Sequence, residues 1–218
     1  REDAKRKYMG GVFFWTGFDY IGEPAPFAGG TSKSSYFGAI DTCGFPKDSF
    51  YLLQSQWLDV ETDPMVHILP HWNWEDDRSI DIDGKTPIRI YSNARSVEVF
   101  LNGESLGRKE FTYYPETETS LARQDDGSEQ ENLYLQFLVP FEAGTVEAVA
   151  YDADGNEVAR DVKTTAGDPA ALQLKPERDV ITADGEDLCY IEVDVVDEKG
   201  VMNPRANNSI QFSITGNG

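Results

Sequence analysis

Within five positions the chain sets two carboxylates and a phenol, Asp19, Tyr20 and Glu23, shortly after an indole at Trp15. Paired carboxyl groups can act as acid and nucleophile on a glycosidic bond, which in a retaining enzyme needs them about 5 Å apart. An indole offers a flat apolar face to the CH-bearing side of a sugar and keeps an N–H for hydrogen bonding. Asp41, at the end of its own apolar stretch, is a further candidate for lining or bracing such a site. Metal chemistry is poorly supplied: the histidines are His67 and His71, the cysteines Cys43 and Cys189. The histidine spacing suits a helix, but Pro70 and β-like neighbours argue against one. The cysteines lie far apart and no disulfide is expected between them. Asp152-Ala153-Asp154-Gly155-Asn156-Glu157 lacks the ligand spacing of a calcium loop and reads as a plain turn. Neither a metal nor a cofactor is expected.

These residues need elements to hold them. Val12 to Trp15 is an unbroken apolar run bounded by glycines, the pattern of a strand buried on both faces, as in parallel sheets. In a parallel α/β barrel the residues just past the carboxyl end of each strand face the site, which would put Trp15, Asp19 and Tyr20 at its mouth. The Gly22 to Thr42 stretch, rich in Gly, Pro and Ser, reads as a long irregular loop. A helix follows from Pro46-Lys47-Asp48 to about Leu58, with Asp48 as N-cap and Phe50, Leu53, Trp57 and Leu58 as its apolar stripe.

From Met65 the period changes to two. Ile88 and Ile90, then Val97, Val99 and Leu101, alternate with polar neighbours, and Asn102-Gly103 is a two-residue hairpin turn. Leu133, Leu135, Phe137 and Val139 form a second set, Val146, Ala148 and Ala150 a third, and Asp154-Gly155 turns the chain into Glu157 to Thr164. Short strands at this spacing make an antiparallel sandwich. Pro115 to Glu131, dense in Glu, Thr, Asp and Gln, reads as a long exposed loop. Gly167-Asp168-Pro169 is a linker. After it Leu172 and Leu174, then Cys189, Ile191, Val193 and Val195, then Ile210, Phe212 and Ile214, alternate again. About four strands fit there, where an Ig-like sandwich needs about seven. An incomplete sandwich leaves an apolar edge and predicts strand pairing between chains.

The composition fits this reading. The 218 residues are 39% hydrophobic and 12% aromatic, enough for a folded core. The formal net charge of −20 excludes nucleic acid and anionic membranes as partners, since both need clustered Lys and Arg. It suits a neutral substrate such as a sugar, and equally an acidic proteome. No apolar stretch approaches the roughly 18 residues of a membrane span. Localisation is not legible.

The run Phe14-Trp15-Thr16-Gly17-Phe18-Asp19-Tyr20-Ile21-Gly22-Glu23-Pro24, continued by Ser34-Ser35-Tyr36-Phe37-Gly38-Ala39-Ile40-Asp41-Thr42-Cys43-Gly44-Phe45-Pro46-Lys47-Asp48, resembles the last strand, loop and helix of the catalytic barrel in glycoside hydrolase family 2, and the bacterial β-galactosidases within it. His67-Ile68-Leu69-Pro70-His71-Trp72-Asn73-Trp74 looks like the start of the β-domain that follows that barrel.

The resemblance implies a mainly β chain. The end of a (β/α)8 TIM barrel is expected over residues 1–62, an Ig-like antiparallel β-sandwich over 63–167, and part of a second over 168–218. It implies a fragment of a retaining β-galactosidase whose acid/base and nucleophile glutamates lie upstream of Arg1, so no catalytic residue is assigned here. Substrate-contacting roles are expected for Trp15, Asp19, Asp41 and Trp72. Asp19 and Glu23 are not read as the catalytic pair and better fit loop-holding. Trp72 and Trp74 can be read as a sugar platform or as packing in an interdomain seam. The alternatives are a non-catalytic carbohydrate-binding or structural module and, within the family, a β-glucuronidase. A glucuronide carboxylate would call for nearby cations, and Lys33 and Lys47 are the loop candidates.

Overall fold

The computed structural model describes residues 8, 13–22, 34–114, 119–123, 129–130 and 133–216. Helix α1 (Asp48–Trp57) precedes eleven strands: β1 (Val66–Leu69), β2 (Thr86–Ser92), β3 (Ser96–Leu101), β4 (Glu104–Tyr114), β5 (Thr119–Arg123), β6 (Glu129–Gln130), β7 (Leu135–Val139), β8 (Thr145–Tyr151), β9 (Glu157–Thr164), β10 (Ala171–Pro176) and β11 (Ile191–Val196). The named strands pair antiparallel throughout.

A three-stranded sheet in the order β1-β2-β7 faces a six-stranded one in the order β6-β5-β4-β3-β8-β9. Alternation in β7, and in β3 from Val97 onward, sends one face inward, so Ile68, Ile88, Ile90, Leu135 and Phe137 of one sheet meet Val97, Val99, Phe111, Val146, Ala148 and Ala150 of the other. Each of these larger side chains contributes about 1.5–3 kcal/mol on burial. Asn102 and Gly103, at φ 52° and 84°, make the β3–β4 hairpin. Positive φ at both central residues matches the strand twist and explains the Asn-Gly pair.

Three expectations need correction. Phe13 to Trp15 is not a strand: Val12 lies outside the described residues, and Phe13 stands fully in solvent. A strand needs a hydrogen-bonding neighbour on at least one edge, and none of the described strands lies beside it. Second, β5 and β6 fall inside the stretch read as loop. Their polar composition hid them, because the backbone pairing of β5 with β4 leaves no mark in the side-chain pattern. Third, Ile210 to Ile214 alternates but forms no strand, and Phe212 and Ile214 are exposed. In the last segment only β10 and β11 pair among the described residues. One side of that ladder is entirely apolar (Leu172, Leu174, Pro176, Ile191, Val193, Val195), while Lys175, Glu192 and Asp194 lie on the other.

The join between sandwich and ladder is tightly bonded. The Asn73 amide donates to the carbonyl of Ala166 at 3.1 Å and accepts the Ala166 N–H at 3.2 Å. The next residue, Gly167, donates its N–H to Asp197 at 2.9 Å and accepts from the Asn203 amide at 2.9 Å. The N–H and C=O of two consecutive residues are thus all bonded, which turns a composition-predicted linker into a fixed strap. Backbone donors from Gly167, then Val201 and Lys199, hold the Asp197 carboxyl below its ordinary range.

Candidate functional site

The candidate residues near the start of the chain sit on two short stretches bonded to each other. Asp19 N–H donates to the Ile40 carbonyl at 2.8 Å, Ile40 N–H to Gly17 at 2.9 Å and Ala39 N–H to Thr16 at 3.2 Å. Tyr20 and Ser35 exchange both backbone bonds. The second stretch folds back on itself through a tight turn whose carbonyl and carboxylate both come from Asp41. That carboxylate accepts the N–H groups of Cys43 and Phe45 at 2.8 and 2.9 Å, an Asx-type closure for which Asp is well suited. Lys47 then enters α1, its own N–H bonded to Ala39 at 2.8 Å.

Beneath these stretches lies an ion pair. The Asp19 side chain is 2% exposed and accepts the Lys47 ammonium at 2.7 Å and the Gly38 N–H at 2.8 Å. The same ammonium reaches the Tyr36 carbonyl at 3.3 Å. A carboxylate this enclosed is tolerable only because charge and hydrogen bonds are both met. Gly38 is required by proximity: a Cβ there would stand 2.2 Å from the Asp19 nitrogen. Above the pair an aromatic surface is displayed, with Trp15 75% exposed and Phe18, Tyr36 and Phe37 about half so or more. Trp15 meets the Tyr20 ring edge-on at 6.3 Å between centroids.

The structure therefore brings Trp15, Asp19 and Asp41 into one neighbourhood but gives them different work. Trp15 is presented outward, Asp19 is consumed in a brace, and Asp41 shapes a turn. Glu23 and Lys33 lie outside the described residues. Trp72 is elsewhere, 2% exposed in the sandwich core with its indole N–H on the Glu142 carbonyl at 3.0 Å. Beside it His71 stacks on Trp74 at 4.5 Å and accepts the Asn73 N–H at 3.1 Å. Burial first, then the Arg205 charge, lowers the His71 pKa below the ordinary 6.5. The Asp152 carboxylate is occupied by N–H groups of its own turn, from Asp154 and Asn156. Among the described residues no group of three or more metal-ligating side chains comes together, and no helix is long and apolar enough to cross a membrane.

Sequence reading missed two features. The partnership of Lys47 with Asp19 spans 28 positions and leaves no local pattern, although a charged residue at a helix start just after a Gly-Phe-Pro turn was a usable hint. The seam formed by Asn73, Asp197 and Asn203 was hidden in the same way, since each is an ordinary loop residue until the fold brings them to one strap.

A second cluster ties α1 to the sandwich. His67 lies flat under Tyr51, centroids 3.7 Å apart, and its Nε2 meets Asp48 at 3.0 Å. Burial, followed by the charges of Asp161 and Asp48, pushes the Tyr51 phenol up.

Comparison with known proteins places this architecture. Residues 172–218 match the glycoside hydrolase family 2 C-terminal domain 5. Residues 83–159 match a domain of unknown function, DUF4982. Over 97% of its length the chain is 43% identical to a β-galactosidase of Bacteroides ovatus, and covers 22% of that protein. Over 98% it is 30% identical to a β-glucuronidase of Formosa agariphila, covering 19% of it. The crystal structure of a β-glycosidase from Bacteroides vulgatus superposes with a TM-score of 0.67 at 32% identity, over 88% of this chain and 21% of that one. The chain belongs to glycoside hydrolase family 2. It spans about a fifth of the length of these relatives.

Proposed function

We propose that the complete protein is a retaining glycosidase that releases terminal β-D-galactose. In this reading residues 1–62 end its catalytic barrel, 63–167 and 168–218 are β-sandwich units, and both catalytic glutamates lie outside this chain. The observation that carries it is Trp15, an exposed indole presented by a hydrogen-bonded scaffold in a chain 43% identical to a β-galactosidase. Asp19, closed off with Lys47, supports a chain with no catalytic carboxylate of its own at this point.

A glucuronidase is the rival, since relatives of that name are 34% and 30% identical. A glucuronide needs a cation for its carboxylate. The Lys47 charge is neutralised at 2.7 Å by Asp19, which favours a neutral sugar. The test is turnover of 4-nitrophenyl β-D-galactoside and β-D-glucuronide by the complete protein and by the 218-residue chain. The complete protein should prefer the galactoside and release β-galactose first, seen by proton NMR, and the chain alone should be inert. Preference for the glucuronide would overturn the neutral-sugar reading, and turnover by the chain alone would overturn the assignment of catalysis elsewhere.

A further inference from the structure

We propose that Lys47 is a positioning residue for Trp15, acting through the buried Asp19 carboxylate; this rests on the glycosidase reading. Trp15 is three-quarters exposed, with the Tyr20 ring edge-on against it, so it is not fixed by burial, yet a sugar-binding indole must be held in one place. What fixes it is the polar scaffold on its carboxyl side. Thr16 and Gly17 accept the N–H groups of Ala39 and Ile40, Tyr20 exchanges bonds with Ser35, and the Tyr20 ring abuts the indole. The backbone bonds join the Trp15 stretch to the Ser34–Ile40 stretch, and the Asp19 carboxylate adds a side-chain lock between the two through Gly38 N–H.

Lys47 makes that lock tenable. It is the N-cap residue of α1, so its backbone is anchored on a regular element, and its ammonium bonds both stretches at once: Asp19 on the first, the Tyr36 carbonyl on the second. Without the ammonium, a carboxylate 2% exposed is left with the Gly38 N–H as its one donor among the described residues. An enclosed carboxylate without its counter-charge is strongly unfavourable, and the cheapest relief is for the Trp15 stretch to swing Asp19 out to water. The indole moves with it.

The test is a double-substitution cycle in the complete protein, read as kcat and KM for 4-nitrophenyl β-D-galactoside. Trp15→Leu should raise KM about tenfold, the scale of one aromatic contact. Lys47→Met should raise KM by a similar factor with kcat little changed, and the double variant should be no worse than Trp15→Leu alone. Asp19→Asn, which keeps an acceptor for Gly38 but removes the enclosed charge, should bring KM in the Lys47→Met background back toward the wild-type value, and Lys47→Arg should recover most of the loss. Multiplying effects in the Trp15→Leu/Lys47→Met variant, or an unchanged KM in Lys47→Met, would overturn the proposal. Wild-type protein that cleaves no galactoside brings down the functional reading instead. Hydrogen exchange then decides the brace: faster exchange at Gly38 and Ala39 in Lys47→Met upholds it, and unchanged exchange there refutes it.

Discussion

Asp197 holds Gly167: one carboxylate oxygen accepts the Gly167 N–H at 2.9 Å while the other accepts those of Lys199 and Val201 at 2.8 and 2.9 Å. One side chain thus both closes its own turn and clamps the strap between the sandwich and the β10–β11 ladder. Replacing it with alanine should free the strap and speed proteolytic cleavage near Asp168-Pro169 several-fold, measured against the intact chain by mass spectrometry.

The same carboxylate sets an acid limit. Its folded pKa is lowered, chiefly by the Gly167 and Val201 N–H groups, so the stability it supplies is complete above the ordinary value of 3.8 and is lost as pH falls below that toward the folded value. The melting temperature should drop between about pH 5 and pH 3, and Asp197→Asn, which cannot titrate, should drop less over that interval. An equal drop in both proteins would remove Asp197 from the account.

His71 acts nearer neutrality, and with the same sign for a different reason. Burial lowers its pKa, so the unfolded chain takes up a proton first as pH falls through about 6.5, and stability declines from there downward. Between about pH 7.5 and pH 5.5 the wild-type melting temperature should fall more than that of His71→Gln, which keeps an acceptor for the Asn73 N–H without a titrating ring.

Which parts of this were legible beforehand follows from the range of the forces involved. Alternation in Ile88–Ile90, Val97–Leu101 and Val146–Ala150, and the Asn102-Gly103 turn, are local and periodic, and the sandwich emerged from them directly. The α1 helix began where Pro46-Lys47-Asp48 indicated, although Lys47 rather than Asp48 holds the N-cap position. Trp15 lies exposed rather than in the strand expected from Val12 to Trp15, because a strand of that type depends on neighbours remote in sequence. The aromatic company of Trp72 left open a sugar platform or packing at a seam; that Glu142, 70 positions away, would take its N–H could not be read from the same pattern.

Trp72 now has a decisive experiment. Trp72→Phe removes the donor to the Glu142 carbonyl and part of a core side chain, and should destabilise by about 1–3 kcal/mol in urea titration. In the complete protein its KM for 4-nitrophenyl β-D-galactoside should stay within about twofold of wild type. A large rise in KM with little loss of stability would return Trp72 to the substrate.

Gly38 is the sharpest steric constraint beside the brace. A methyl group there would overlap Asp19 N at 2.2 Å and the Phe18 carbonyl carbon at 2.3 Å, both backbone atoms that cannot rotate away. Gly38→Ala should cost at least about 1–3 kcal/mol through forced backbone displacement, again by urea titration. Gly44→Ala makes no such contact but must hold φ near 93°, and separates strain from collision in the same assay.

The two-sided character of the β10–β11 ladder has a practical corollary. With leucine, isoleucine and valine on one flank and an ion-paired lysine on the other, it behaves as a small amphiphile fixed to an otherwise well-closed sandwich. Such an element adheres to whatever greasy cover it meets, whether a neighbouring module, a resin or a second molecule. Sulfate and warmth will promote that adhesion and modest chilling will loosen it, so handling conditions alone can decide whether this polypeptide stays dispersed.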